Sequence, residues 1–359
     1  MSMRSYAIRR LLYIIPTLIG ISIFSFALIA LSPGDPVQIR MGLFKGEQSE
    51  YEDMYDQIGF EIGILDEDGE EVNVVVRYLR WLGFMKRPIE YEYETIDNET
   101  VPVYRRSGIL QGDFGRSWHW TQDGRIGKKI TDIIISRMWY TLFLTTPAFV
   151  ISTVLATVIG VIQATRQYSI WDKGVTLASL IGYSMPTFWL AKLVMLASFY
   201  MFNFTGATQG DAFREPFILN AKFYVFLILP TITLVLTGLV FLARLTRSQL
   251  LDILRQDYIV TARAKGLAER SVIYKHAFRN ALLPIVTVVG MALPGLLGGA
   301  VMTEGVFGWP GLGRVFLESS LQRDHPMMMA TNFIFGGMFL IFRWVVDLSY
   351  ALVDPRIRY

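Results

Sequence analysis

The chain has 359 residues, 52% of them hydrophobic and only 18% charged, with a net charge of +3. So low a charged fraction is unlike a soluble globule, and so small a net charge gives no case for nucleic-acid binding. With no cysteine and three scattered histidines, His119, His276 and His325, there is no disulfide framework, no thiolate zinc site and no histidine cluster to propose as a metal centre.

Arg4, Arg9 and Arg10 precede an unbroken apolar run from Leu11 to Leu31. A cleaved signal has a core of about 7–15 residues and a small-residue cleavage site. This run is longer and ends in Ser32-Pro33-Gly34-Asp35-Pro36, so it is read as a retained first span. The stretch 32–137 is too long for a simple connection and should carry its own structure. From Glu47 to Glu71 it is acidic, with no lysine or arginine. That run is either a solvated surface or a docking face. Val74, Val75, Tyr78, Leu79 and Leu82 then recur at helical spacing, as expected of a short helix on the membrane surface. Ile89, Tyr91, Tyr93 and Thr95 alternate with Glu90, Glu92 and Glu94, which predicts a strand. Asp97-Asn98 supplies a turn, and Val101, Val103 and Arg105 a returning strand. Phe114, Trp118, Trp120, Trp139 and Tyr140 suit an aromatic belt at the outer interface.

A membrane-spanning helix needs roughly 20 mostly apolar residues. Runs at about Ile8–Leu31, Met138–Ala164, Val175–Tyr200, Phe223–Ala243, Leu282–Thr303 and Met328–Val353 predict six spans. Basic residues cluster on alternate sides of them. Arg4, Arg9 and Arg10, then Arg166 and Lys173, then eight between Arg244 and Arg279, then Arg356 and Arg358, all fall on one face of a six-span chain. The positive-inside rule makes that face, and both termini, cytoplasmic. The expected fold is therefore an all-α transmembrane bundle of six helices, with a small α+β extracytoplasmic insertion between spans one and two. Its parts are the tail and first span (1–31), the insertion (32–137) and a five-span core (138–359), with a cytoplasmic loop at about 244–281.

Charges inside the bilayer cost about 2.5–3.5 kcal/mol each at mid-depth on insertion scales, so each needs a reason. Lys192 either snorkels to the outer interface or faces a translocation path. Arg343 and Asp347, four residues apart in span six, share a face and can pair. Glu304, just after span five, either lines an outer gate or sits at the interface. Pro284, Pro294, Gly295, Gly298 and Gly299 make span five breakable; gate bending and close helix packing both account for them.

The loop between spans four and five is the most distinctive segment. Gln256 to Lys265 reads as a short helix with Tyr258, Ile259 and Ala262 on one side. Gly266 suits the left-handed residue that ends a helix, and a second helix begins near Glu269, where an acid favours the positive end of the dipole. Two helices meeting at a glycine make a stiff knob with an exposed apolar tip, suited to receiving a push from a soluble partner.

Several motifs then resemble one family. They are ARAKGL at Ala262–Leu267, HAFRNALLP at His276–Pro284, TEGVFGWPGLGR at Thr303–Arg314, RDHP at Arg323–Pro326 and DLSYALVDPRIR at Asp347–Arg358. Arg9–Val37 and LQGDFGRS at Leu110–Ser117 add to them. The chain resembles the membrane subunits of ABC importers for oligopeptides and dipeptides. That resemblance implies a multi-pass permease subunit of the cell (plasma or inner) membrane, embedded in the lipid bilayer. It would pair with a second homologous permease subunit, two ATP-binding subunits and an extracytoplasmic substrate-binding protein. ATP and Mg would be bound by the partner subunits, and no cofactor by this chain. It also implies that the loop is the coupling helix, with Ala262, Arg263, Ala264, Lys265, Gly266 and Leu267 as coupling residues. Lys192, Glu304, Arg343 and Asp347 remain candidates for the path or gate. Three departures stand out. Val260-Thr261-Ala262 occupies about the place of the general Glu-Ala-Ala, Lys86–Ile109 looks inserted, and Arg343 stands where the family commonly has Asn. Members of such systems also import β-linked oligosaccharides or nickel chelates, so the substrate stays open. No phosphate-binding loop, H-E-x-x-H or G-x-S-x-G occurs, which argues against a membrane-embedded enzyme.

Overall fold

A computed structural model of the protein describes residues 3–41, 48–96, 99–122, 125–208, 220–292 and 300–353. In chain order the elements are α1 (Met3–Ala30), α2 (Pro36–Met41), α3 (Gln48–Glu61), α4 (Val74–Leu82), β1 (Arg87–Ile96) and β2 (Glu99–Arg105). A two-residue ribbon, β3 (Thr121–Gln122) and β4 (Arg125–Ile126), precedes α5 (Ile130–Thr165), α6 (Ile170–Ser184), α7 (Thr187–Phe202), α8 (Ala221–Leu254) and α9 (Asp257–Ala264). Then come α10 (Glu269–Ser271), a π-helical stretch (Val272–Phe278), α11 (Arg279–Ala292), α12 (Val301–Phe307), α13 (Leu312–Gln322) and α14 (His325–Val353).

Among the described residues four helices are long and apolar enough to cross a bilayer: Ala7–Ala30, Ile130–Thr165, Ala221–Leu254 and His325–Leu348, with mean hydropathies of 2.2, 2.1, 2.5 and 1.5. Such runs become helices because hydrocarbon offers the backbone no partner but itself. The 34 residues of α8 span about 51 Å, well over the roughly 30 Å of a hydrocarbon core. Its basic end therefore projects beyond the apolar layer.

Two expected spans take a different form. The third is two helices, α6 and α7, bent by 114° at Met185-Pro186. Proline disfavours helical geometry in the residue before it, and Met185 is extended at φ −83°, ψ 131°. The fifth is helical to Ala292 and again from Val301. Pro294, Gly295, Gly298 and Gly299 lie outside the described residues, as do the Asp97-Asn98 turn and Arg356 and Arg358.

The chain divides into two compact units. One comprises 9–137 and 315–337. In it Asn73 caps α4 by accepting from the Val75 amide, and Gly83 closes the helix at φ 93°. The helix buries Trp81 against Phe26 and Ile109, with Tyr78, Phe114 and Phe333 around them. The Tyr78 hydroxyl lies 2.7 Å from that of Ser22. The alternating segment forms an antiparallel hairpin, with Thr95 opposite Thr100 and a register shift between Pro88 and Tyr93. Asp113 ties its base, accepting from Arg87 at 2.9 Å and from Ser107 and the Gly115 amide.

The other unit comprises 1–8, 138–314 and 338–359. Its largest core joins Ala156 and Val161 of α5, Leu242, Ala243 and Leu250 of α8, Ile259 and Ala262 of α9, and Ala281 and Ile285 of α11. A second, aromatic core gathers Tyr140, Phe223 and Trp309.

Candidate functional site

The expected helix–glycine–helix elbow is present. Helix α9 ends at Ala264 with Lys265 as its cap, and Gly266 stands at φ +75°. The Gly266 amide donates to Arg263 O at 2.9 Å and the Leu267 amide to Ala262 O at 3.4 Å. That paired closure needs a left-handed residue at its corner, which glycine adopts without steric cost. The second helix starts at Glu269, and its carboxylate accepts from Arg263 Nη2 at 2.7 Å and Nε at 3.1 Å. The bidentate pair straps the two helices across the corner. Hydrogen bonding from Arg263 holds the Glu269 carboxyl below its ordinary range and raises the guanidinium.

The elbow is anchored from beneath. Ile259 is wholly buried and Ala262 nearly so, in the core with Val272, Ala277, Ala281 and α8. Thus five of the six candidate coupling residues, Arg263, Ala264, Lys265, Gly266 and Leu267, are exposed, while Ala262 faces the core. Tyr258 is not buried with Ile259 and Ala262; it is 43% exposed and accepts from Asn280 Nδ2 at 2.8 Å. Val260, Leu267 and Tyr274 are exposed apolar side chains. Beside them a concavity of about 500 Å³ is lined by Ala268, Arg270, Ser271, Tyr274 and Lys275. Val272–Phe278 is π-helical, a wider winding between the elbow and α11. No local sequence signal announced it.

The four charged candidates are scattered. Lys192 lies on α7, Glu304 on α12, and Arg343 and Asp347 on α14. Arg343 is exposed on α14, one helical turn from Asp347. Lys192 is also exposed, on a helix whose Ala191 and Val194 pack with Phe307 of α12. Glu304 is wholly buried. Its Oε1 accepts from Thr141 Oγ1 at 2.8 Å, and its Oε2 from the Arg314 amide at 3.0 Å. Thr141 Oγ1 also accepts from the Leu312 amide at 2.8 Å, and Trp309 Nε1 donates to Tyr140 O at 2.9 Å. The carboxylate thereby ties the GWPGLG loop to α5. Gly311 and Gly313 give it room, since a Cβ on Gly311 would collide with the carboxylate and one on Gly313 would lie 2.6 Å from Val301 Cα.

Two further charges were not singled out from sequence. Asp172, 4% exposed, accepts from Arg247 Nε at 2.7 Å and Nη2 at 2.9 Å, joining α6 to α8. Ser169-x-x-Asp172 is a helix-start signal that could have drawn attention to it, and the Ser169 side chain does cap α6. Arg247 also lines a cavity of about 550 Å³ with Gln163, Thr176 and Arg244. Asp324, within RDHP, is wholly buried. It accepts from Ser117 Oγ, from the Trp118 amide at 3.1 Å and from the Met327 amide at 3.2 Å, capping α14. It thereby links two of the motifs.

Known proteins resemble this chain along its whole length. The family described as "Binding-protein-dependent transport system inner membrane component" matches residues 156–359. The oligopeptide transport system permease protein AppB of Bacillus subtilis is 36% identical over 99% of this chain and 100% of its own. The dipeptide transport system permease proteins DppB of Alkalihalophilus pseudofirmus and of Escherichia coli are 33% and 32% identical, over 99% of this chain and 100% and 99% of theirs.

Proposed function

The chain belongs to the inner-membrane components of binding-protein-dependent transport systems, and from that premise we propose that it is half of the translocation path of a peptide importer. As a family member it is a multi-pass permease subunit of the cell membrane and not an enzyme; ATP hydrolysis is carried by separate subunits. Peptides are favoured as cargo over oligosaccharides because the relatives named above are oligopeptide and dipeptide permeases.

The observation that carries the reading is the elbow. A glycine-cornered, ion-paired helical knob has its inner face embedded in the core of α5, α8 and α11. A force on its exposed tip is transmitted to those helices rather than absorbed by a loose loop. The knob faces the cytoplasm by the basic-residue rule. It docks on one of two ATP-binding subunits, a second permease subunit completes the path, and a binding protein delivers peptide from outside. Six spans, with α6–α7 as the bent third and the segment from α11 towards α12 as the fifth, put both termini inside. ATP drives the switch only through the motor's different affinity for the two permease states.

The chain contains no cysteine, so Leu267→Cys supplies a unique handle. In membranes containing the assembled transporter it is expected to cross-link to an ATP-binding subunit and to resist membrane-impermeant thiol reagents added outside. Labelling from outside, or cross-links to no nucleotide-binding subunit, would overturn the assignment.

A further inference from the structure

The unit formed by 9–137 and 315–337 contains a cavity of about 110 Å³ that the coupling function does not use. Its lining combines three guanidinium groups, Arg77, Arg80 and Arg87, with Trp81, Trp118 and His325. Trp81 and Trp118 are 8% and 5% exposed, and neither indole N–H has a hydrogen-bond partner among the described residues. The Nε atoms of Arg80 and Arg87 are likewise buried without partners. Buried donors of this kind are nearly always satisfied in folded proteins. Four at one cavity, all donors and two of them cationic, call for an acceptor and favour one with negative charge.

The acid bonded to Arg87 does not satisfy it fully. Asp113 takes one Nη of Arg87 but leaves its Nε unpaired. Glu61 also lines the cavity, and Glu71 acts on Arg77 from nearby. Even so, burial lowers the Arg77 guanidinium from its ordinary value, the direction expected of a cation short of a counter-charge. A single water needs about 10–15 Å³ on this scale, so the space is ample for a compact oxyanion. Guanidinium forks match the geometry of phosphate oxygens.

We propose that this cavity binds a phosphate-type oxyanion. The source can be a phospholipid headgroup or free phosphate. Placement favours the headgroup. Phe26 and Ala30 come from the last two turns of one candidate span, and His325 and Met329 from the first turns of another. The cavity therefore lies where hydrocarbon gives way to water, the level at which tryptophan and headgroups gather.

The test uses the full-length chain in a maltoside detergent, which carries no phosphate. Inorganic phosphate, phosphatidylglycerol, a phosphate-free glycosyl diacylglycerol and sodium chloride at matched ionic strength are titrated against the thermal unfolding midpoint. Saturable stabilisation is expected from phosphate or phosphatidylglycerol, and not from the last two. Arg80→Gln should weaken it about tenfold, the loss of one charge-assisted bond. Trp118→Phe keeps the ring and removes the N–H, so it tests the site even if the arginine variant folds poorly. Stabilisation by phosphatidylglycerol alone identifies the headgroup as occupant; equal competition by inorganic phosphate identifies the free anion. If neither stabilises beyond chloride, or both variants respond as the parent does, the site does not exist.

Discussion

Gly266 offers the sharpest test of the coupling reading. Its φ of +75° lies in the left-handed region, and a Cβ built there meets no atom within 4 Å. Any cost of substitution is therefore a backbone cost rather than a clash. For an L-residue that cost is about 1–2 kcal/mol, greatest for a β-branched side chain and least for asparagine. The alternative is to leave the left-handed region and lose the Gly266–Arg263 and Leu267–Ala262 bonds, worth about 1 kcal/mol each. Either way the closed elbow is disfavoured by roughly tenfold for valine, since 1.4 kcal/mol is a factor of ten. Gly266→Val should cut peptide-stimulated ATPase activity and uptake into liposomes by about that factor. Gly266→Ala should fall between, and Gly266→Asn should stay near the parent. Membrane insertion and yield should be equal in all three, because the elbow lies outside the spans. If valine transports at the parent rate, the corner is not part of coupling. If asparagine is as damaging as valine, the glycine serves close approach of a partner and the backbone argument fails.

The Arg263–Glu269 pair is 42% and 56% exposed, so a double-mutant cycle on Arg263→Ala and Glu269→Ala should return only about 0.2–1 kcal/mol of coupling. Because the folded Glu269 pKa is depressed below 4.5, the strap is complete above that value and lost as pH falls through the folded pKa; an Arg263-dependent effect that grew with alkalinity would contradict this. Asp172→Asn leaves Arg247 without its carboxylate. Breaking buried pairs costs about 3–5 kcal/mol, and the partial exposure of Arg247 places this one at the low end, readable as a lowered unfolding midpoint. Glu304→Ala and Thr141→Val should each destabilise by about 1–3 kcal/mol and be strongly non-additive, since both untie the same loop; additive losses would refute the shared network. Gly311→Ala should be at least as damaging as Glu304→Ala, and adding it to Glu304→Ala should cost little further, because the atoms its methyl meets are then gone.

Much of the architecture follows from local chemistry and was legible in the amino-acid order. Four apolar runs are long helices because hydrocarbon forces the backbone to bond within itself. The amphipathic helix α4, the alternating strand β1 and the glycine corner at Gly266 each obey rules that act within a few residues. The Pro186 break was readable in principle, but hydropathy averages over such a break and reports one span where there are two helices.

What only the tertiary structure decided is which side chains meet. Thr141 and Glu304 are 163 positions apart, Asp172 and Arg247 75, and Ser117 and Asp324 207. Spacing places a residue on a helix face but is silent on what covers that face. Hence Ala262 packs into the core beneath the elbow, and Arg77, Arg80, Trp81 and Trp118 share one cavity. Helix formation is a short-range solution to hydrogen bonding, whereas pairing of buried charge and donors depends on distances that exist only once the helices have packed.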